Sequence, residues 1–443
     1  MWTLRGGAPV TVLVVQHVPG EGPYAVGDAL EAAGLEIRRC RVWAGESVPD
    51  GPDGLDGVAA LVVMGGPMSA YSDDGFPTRT AEVALLRRAL EAEVPVLGIC
   101  LGAQLLAVAA GGDAYAGTGK QVGWGRVGLS TEADRDPLFA GLPASLGVLH
   151  WHDDTMSLPA GAVTLASCAR YPVQAFRAGS SAWGLQFHLE ADEEAVGAFV
   201  DAFPSDAASA PGGGRGIREA APARLAELAP YRDQLFARFA ELAAARAGHT
   251  AIRAFFTPRA GTWEARFADD QPAYARAVGR MGLRPGQTAA DVGCGTGRAL
   301  PALREAVGAG GAVFGVDLTA AMLRSAAHEH RDDTASLLLA DACRLPFADG
   351  ALDGLFTAGL LNHLPDPRSA VREWARVGSP GATLALFHPS GRAERAARHG
   401  RPLSPDDVLA ADNLRPLLET SGWRTTCYED AAEYFLTLAV REP

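Results

Sequence analysis

The sequence predicts two consecutive α/β domains, each built on a doubly wound, mainly parallel sheet. Three observations predict it. Short β-branched runs alternate with helical patterns from Val10 to about Val200, a second such series runs from Pro272 to the end, and a Pro/Gly/Ser/Ala-rich stretch at 204–216 interrupts the alternation between them. A chain of 443 residues also exceeds what a single hydrophobic core usually serves.

In the first series, residues 10–16, 59–64 and 95–98 are the clearest strands. The 204–216 stretch (PSDAASAPGGGRG) cannot bury enough surface to order itself and is expected to be a mobile loop. Beyond it, Leu225, Leu228, Tyr231, Leu235, Phe239 and Leu242 recur at helical spacing, so 221–247 must pack on something. These helices are assigned to the first domain, giving expected domains of 1–248 and 249–443. In the second series strands are expected at 288–292, 312–316, 336–340, 354–358 and 382–387. Ser404 with Asp407 resembles a capping box opening a helix that stops near Gly422. Two last strands, 425–429 and 435–440, should form an antiparallel hairpin at the sheet edge.

Composition narrows the function classes. With 48% hydrophobic and 21% charged residues the chain reads as an ordinary globular protein, and no apolar run approaches the ~20 residues that span a bilayer. Residues 1–16 read as a first core strand rather than a signal peptide, so a cytoplasmic location is expected and no membrane partner. A formal charge of −13 argues against nucleic acid. Cys40, Cys100, Cys168, Cys294, Cys343 and Cys427 show neither CxxC nor Cys/His spacing, which argues against a disulfide framework and against a metal site. Lys120 is the single lysine of the sequence, a skew that reads as coding bias.

The run Val96-Leu97-Gly98-Ile99-Cys100-Leu101-Gly102-Ala103-Gln104 is an apolar strand, a Gly-x-Cys-x-Gly turn and an apolar helix. A nucleophile on a tight strand-to-helix turn is forced outward, and flanking glycines leave room for strained backbone and close substrate approach. The helix N-terminus favours thiolate over thiol. A small buried hydrophobe is the competing role for Cys100. Downstream, Trp183-Gly184-Leu185-Gln186-Phe187-His188-Leu189-Glu190 reads as a strand ending in a His-x-Glu pair whose side chains share one side, so Glu190 can hold the imidazole of His188. Met64-Gly65-Gly66-Pro67-Met68 ends a strand with two glycines, as a backbone N–H facing an oxyanion requires.

In this order and spacing, the three pieces resemble the class I glutamine amidotransferase family over roughly residues 10 to 245. The subgroup is similar to the amidotransferase part of GMP synthase, and Gln16-His17-Val18, Gly123-Trp124 and His150-Trp151-His152 match it as well. The resemblance implies a flavodoxin-like fold. It implies Cys100 as nucleophile, His188 as base, Glu190 as its orienter, the N–H groups of Gly66 and Leu101 as oxyanion hole, and Gln104 as a contact for the glutamyl moiety. Leu189 replaces a common proline and Asp153 stands where glycine is expected, which bears on substrate preference. The second half carries no ATP-binding loop, so hydrolysis of a γ-glutamyl amide is favoured over ammonia supply to a separate protein.

The second motif, Ala289-Ala290-Asp291-Val292-Gly293-Cys294-Gly295-Thr296-Gly297-Arg298, follows a strand and leads into a helix near Ala299. Arg298 stands where the nicotinamide fingerprint needs glycine. Carboxylates end the next two strands: Asp317, about 20 residues beyond Gly297, where an acid can hold ribose hydroxyls, and Asp341, placed to accept from an adenine amine. Helix capping is the competing role for each. Together these features resemble the class I S-adenosylmethionine-dependent methyltransferases, the branch similar to ubiquinone and menaquinone methyltransferases, over about 251 to 443. The resemblance implies a Rossmann-like fold with S-adenosylmethionine as cofactor. Asp291 and Gly297 would belong to the cofactor site, with Gly293 and Gly295 approaching the methionine part, Asp317 the ribose, and Asp341 with the Ala342 N–H the adenine. Acceptor recognition would come from 255–274, with Trp263, Phe267 and Tyr274, and from 360–363. There His363 is either a base or a lid residue, and Asn362 is no better defined.

The sequence therefore points to a bifunctional small-molecule enzyme whose two steps are consecutive in one pathway, with pathway enzymes as possible partners. A scaffold sensing glutamine or S-adenosylmethionine is the alternative from another class. The methyl acceptor is not named by the sequence.

Overall fold

The computed structural model describes residues 10–50, 54–55, 57–398 and 400–442. Residues 1–9, which belong to the stretch read as lacking a signal peptide, lie outside the described residues. The chain divides into two compact units, Ala8–Thr250 and Ala251–Pro443.

The N-terminal unit contains one nine-stranded sheet. Its strands are β1 (Thr11–Gln16), β2 (Glu36–Arg41), β3 (Val58–Val63), β4 (Val96–Ile99), β5 (Ala114–Leu129), β6 (Ser145–Met156), β7 (Val163–Ser167), β8 (Ala175–Ala178) and β9 (Ala182–Leu185). The spatial order is β2-β1-β3-β4-β9-β8-β7-β5-β6. The first five are parallel; from β8 outward the sheet is antiparallel. Every residue of β1 and β3 is buried, as expected of strands covered on both faces. Alternate residues serve two cores: Val12, Val14 and Val62 pack with Leu235, Phe236 and Phe239 on one face, and Leu13, Val15 and Val63 with Leu85 and Leu105 on the other. β2 lies at the edge, where Arg38, Arg39 and Arg41 discourage further pairing. The antiparallel half was not legible in advance, because β5 (AYAGTGKQVGWGRVGL) is rich in glycine and lacks a β-branched run.

The expected mobile loop at 204–216 is instead largely helical. A short helix covers Pro204–Ala207, and a long one begins at Gly213 and runs to Phe256. Ala207, Ala210 and Ile217 are buried against Trp151 and Phe199, so small residues here permit close packing rather than chain freedom. The helical spacing read at 221–247 holds: Leu225, Leu228, Leu235 and Phe239 are buried in the N-terminal unit. The boundary expected near Gly248 falls inside helix Gly213–Phe256.

The C-terminal unit is a seven-stranded sheet of β10 (Thr288–Val292), β11 (Ala312–Asp317), β12 (Ser336–Leu339), β13 (Leu352–Ala358), β14 (Gly378–His388), β15 (Trp423–Asp430) and β16 (Phe435–Arg441). The order is β12-β11-β10-β13-β14-β16-β15, with the last two antiparallel. All seven strands lie where the sequence placed them, including the edge hairpin. β10 is central, and the chain winds outward from it in both directions, so its C-terminal end is the topological switch point where open α/β sheets bind ligands. The expected helix start at Ser404 is not found: the last helix begins at Ala411, Ser404 Oγ accepts from the Asp406 N–H (3.2 Å), and Asp407 accepts from Leu409 N–H (3.0 Å) with one oxygen and from Arg392 (2.8 Å) with the other.

Candidate active sites

β4 delivers Cys100 into the turn before helix Leu101–Ala109 with φ 51° and ψ −106°, a conformation L-residues avoid. The flanking glycines are required by approach distance. A Cβ on Gly102 would stand 1.9 Å from the Val63 carbonyl oxygen, and one on Gly98 2.5 Å from that of Gly102. The helix thus lies directly on the strand ends and turns the cysteine outward. Cys100 is only 6% exposed, yet it lines a cavity of about 290 Å³ together with Glu21, Gly66, Leu101 and Gln104.

His188 Nδ1 lies 2.8 Å from Glu190 Oε1, both side chains fully buried, while the Cys100 thiol donates to the Trp151 carbonyl (3.6 Å) and stands close enough to the imidazole for each to shift the other's pKa. The strand read through Glu190 ends at Leu185; His188 is then held by a single bridge, its N–H donating to Leu149 O at 2.8 Å. Burial pushes the imidazole pKa down, but the Glu190 carboxylate and Cys100 hold it well above its ordinary value. For the thiol, burial outweighs His188 and raises the pKa, against the thiolate expected from the helix N-terminus alone.

Gln104 Nε2 donates to Gln186 Oε1 (3.2 Å), and Gln186 Nε2 lies 3.8 Å from the Cys100 sulfur. Four features in the cavity or behind the sulfur were missed by sequence reasoning. Gln186 abuts the sulfur. Glu21 is a buried carboxylate on the cavity wall, its pKa pushed up to about 7 by burial, with His188 acting in the opposite direction. Lys120, dismissed as compositional, lines the cavity and pairs with Asp206. Asp154, beside the unusual Asp153, accepts from Ser69 and Tyr71 at the same rim. None has a local pattern, since each is brought in by a different loop or strand.

In the C-terminal unit the glycine turn leaves β10 with φ 72° at Gly293, 55° at Gly295 and 80° at Gly297, each in the region that favours glycine. A Cβ at Gly293 would press on Leu360 (2.9 Å), whereas one at Gly295 would meet nothing within 4 Å. Asp317 accepts from the N–H groups of Gly295 (2.9 Å) and Thr319 (2.7 Å), tying turn to strand end. Asp341 accepts from the Cys343 N–H (2.9 Å), and Ala342 is fixed by Trp374 Nε1 donating to its carbonyl (3.0 Å). Asp291 Oδ1 is buried and has no partner among the described residues, and burial, with Asp317 adding to it, raises this carboxyl well above its usual range.

Arg298, the residue that departs from the nicotinamide fingerprint, anchors the segment expected to recognise the acceptor. It is 4% exposed and donates to Glu264 Oε1 (3.1 Å) and to the carbonyls of Phe267 (2.6 Å) and Trp263 (3.3 Å), while Thr296 also bonds Glu264. His363 packs edge-on against Phe256 at 5.5 Å, and burial lowers its pKa. Among the described residues no cluster of three or more His, Cys, Asp or Glu could hold a metal ion, and no helix is long and apolar enough to cross a membrane.

Residues 28–200 match the family model described as glutamine amidotransferase class-I, and residues 290–386 the one described as methyltransferase domain. The chain is 34% identical over 202 residues to the putative glutamine amidotransferase-like protein YfeJ of Salmonella typhimurium, covering 45% of this chain and 83% of that protein. It is 36% identical over 141 residues to the GMP synthase [glutamine-hydrolyzing] of Porphyromonas gingivalis, covering 31% of this chain but only 26% of the synthase. A solved glutamine amidotransferase from Thermotoga maritima is 28% identical, with 53% of this chain and all of that one aligned at a TM-score of 0.48. The chain therefore belongs, through its N-terminal unit, to the class I glutamine amidotransferase family, and it carries a methyltransferase domain in its C-terminal unit.

Proposed function

We propose that this protein is a bifunctional small-molecule enzyme: a cysteine hydrolase of glutamine or a γ-glutamyl amide, and an S-adenosylmethionine-dependent methyltransferase. The observation that carries the first half is the strained Cys100 on its cavity, its thiol electrostatically coupled to the imidazole of a His188 that Glu190 holds at 2.8 Å. Cys100 attacks the γ-carboxamide carbon as its proton passes to His188. The tetrahedral oxyanion takes hydrogen bonds from Gly66 and Leu101 N–H, and collapse expels the amine with the proton from His188. Water, deprotonated by His188, then cleaves the glutamyl thioester, and the thiolate recovers its proton. Gln104 and Gln186 orient the glutamyl chain.

For the second half, the unpartnered Asp291 oxygen and the open space over Gly295 suit a ligand that brings a hydrogen-bond donor close to backbone. These residues fit S-adenosylmethionine, which when bound would supply an activated methyl group. Asp291 with the Gly293–Gly297 turn would hold its methionine part, Asp317 its ribose through remaining lone pairs, and Asp341 with Ala342 N–H its adenine. Arg298, by fixing the 263–267 segment, would position the acceptor for in-line transfer. Both substrates are small molecules, and the amine freed by the hydrolase is proposed as methyl acceptor in a cytoplasmic pathway with further enzymes.

The test is incubation with glutamine and a panel of γ-glutamyl amines, wild type against Cys100→Ala, with labelled methyl groups followed into the products. Glutamate release that depends on Cys100, together with label in the freed amine, supports both halves. Equal glutamate release by the variant removes the first; label absent from every amine removes the link between them.

A further inference from the structure

A second buried His–Glu pair lies in the N-terminal unit, outside the triad. His17, directly after β1, places Nδ1 2.9 Å from the Gly65 carbonyl oxygen and Nε2 2.8 Å from Glu82 Oε2, with both side chains almost completely shielded. Glu82 is held in turn by Thr78 Oγ1, which donates to its other oxygen at 2.7 Å, and Phe76 packs edge-on against the imidazole at 5.6 Å. A carbonyl oxygen can only accept, so in this arrangement Nδ1 carries a proton whichever atom of the His17–Glu82 contact holds the other.

The consequence follows from the planarity of the peptide bond. The Gly65 carbonyl and the Gly66 N–H belong to one trans peptide and point in opposite directions. Anchoring the carbonyl on His17 therefore aims the N–H away from His17. Gly66 lines the Cys100 cavity, and its N–H donates to no group of the described residues. The peptide is also wedged: a Cβ on Gly66 would stand 2.9 Å from His17 Cβ and 3.0 Å from Leu101 Cδ2. Leu101 supplies the other N–H of the oxyanion hole, so His17 and Leu101 clamp Gly66 from two sides.

We propose that His17, held by Glu82, is a positioning residue that fixes and polarises the Gly65–Gly66 peptide so that Gly66 N–H meets the oxyanion. A proton held on the carbonyl draws electron density through the amide and strengthens its N–H as a donor. His17 touches neither substrate nor sulfur and takes no proton from either. The inference rests on the hydrolase reading of Cys100, but not on which amide is cleaved.

Two reactions of Cys100 in the full chain separate these ideas. Acylation by p-nitrophenyl acetate passes through a tetrahedral oxyanion; alkylation by iodoacetamide is a displacement at saturated carbon and forms none. His17→Phe is expected to slow acylation roughly 10- to 100-fold while alkylation changes less than about twofold. Glu82→Gln, whose amide N–H can donate to Nε2 of the Nδ1–H tautomer while its oxygen accepts from Thr78, is expected to keep most of the acylation rate. Acylation unchanged in His17→Phe, or both reactions slowed equally, overturns the inference and leaves the hydrolase reading standing. A wild-type Cys100 inert to both reagents would instead defeat the hydrolase reading itself.

Discussion

The carboxylate of Glu21 fills the space that a side chain at Gly65 would occupy. Its Oε2 lies 1.8 Å from where a Cβ would stand, and His188 Cε1 lies 3.2 Å from the same point. Gly65, the neighbour of the glycine whose N–H was read as part of the oxyanion hole, thus admits a second acid beside His188.

Burial pushes Glu21 up to about 7 against an ordinary 4.5. The folded state therefore holds the proton more tightly than the unfolded one, and this group's contribution to stability is present below pH 4.5 and lost as pH rises through about 7. Glu21→Gln, which cannot ionise, should gain on wild type by an amount on the order of 3 kcal/mol between pH 4 and 8. Urea unfolding of both proteins at the two pH values measures it. A stability difference that does not change with pH would mean Glu21 is not buried as an acid.

Cys100 at φ 51° holds strain that glycine would relieve and alanine would not. Cys100→Gly should be more stable than Cys100→Ala by about 1 kcal/mol, the reverse of their usual order, with glutamyl hydrolysis abolished in both. Thermal unfolding of the pair decides it.

Gly102→Ala drives a Cβ to within 1.9 Å of the Val63 carbonyl oxygen, a backbone atom with no rotamer to yield. A loss of about 3 kcal/mol or more is expected, with the nucleophile displaced. A variant within about 0.5 kcal/mol of wild type by urea unfolding would show that the helix does not sit on β3 as described.

Gly295→Ala meets no neighbour, and only its φ of 55° opposes it, a cost of about 1 kcal/mol. The fold should survive while S-adenosylmethionine affinity falls at least about tenfold, the new methyl group standing where the ligand approaches the backbone. Calorimetric titration alongside a thermal melt checks both, and undiminished affinity would place the ligand elsewhere.

Arg298→Met keeps the apolar stem and removes every bond to Trp263, Glu264 and Phe267. Leaving these carbonyls unpaired, and Glu264 with Thr296 alone, should cost about 3 kcal/mol locally. Amide exchange in 260–270 should quicken well before exchange in β10. Equal protection in both proteins would remove the anchoring role.

Local necessity made much of this protein legible from its residues in order. A glycine turn at a strand end, the Gly-x-Cys-x-Gly elbow and the His-x-Glu pair each satisfy a requirement that spans fewer than about ten residues, so periodicity and side-chain chemistry suffice. All seven C-terminal strands, Cys100 on its turn, and the His188–Glu190 contact were readable in this way. Tertiary structure alone decided the rest. Glu21 against Gly65, His17 on Glu82, Lys120 on Asp206 and Arg298 on Glu264 join distant segments, and no local pattern marks either partner. The same holds where local signals misled. Asp407 caps a turn at Leu409 and pairs with Arg392 instead of opening a helix, and the small residues of 204–216 found a core to pack on, because long-range burial outweighs the fractions of a kcal/mol that local propensity supplies.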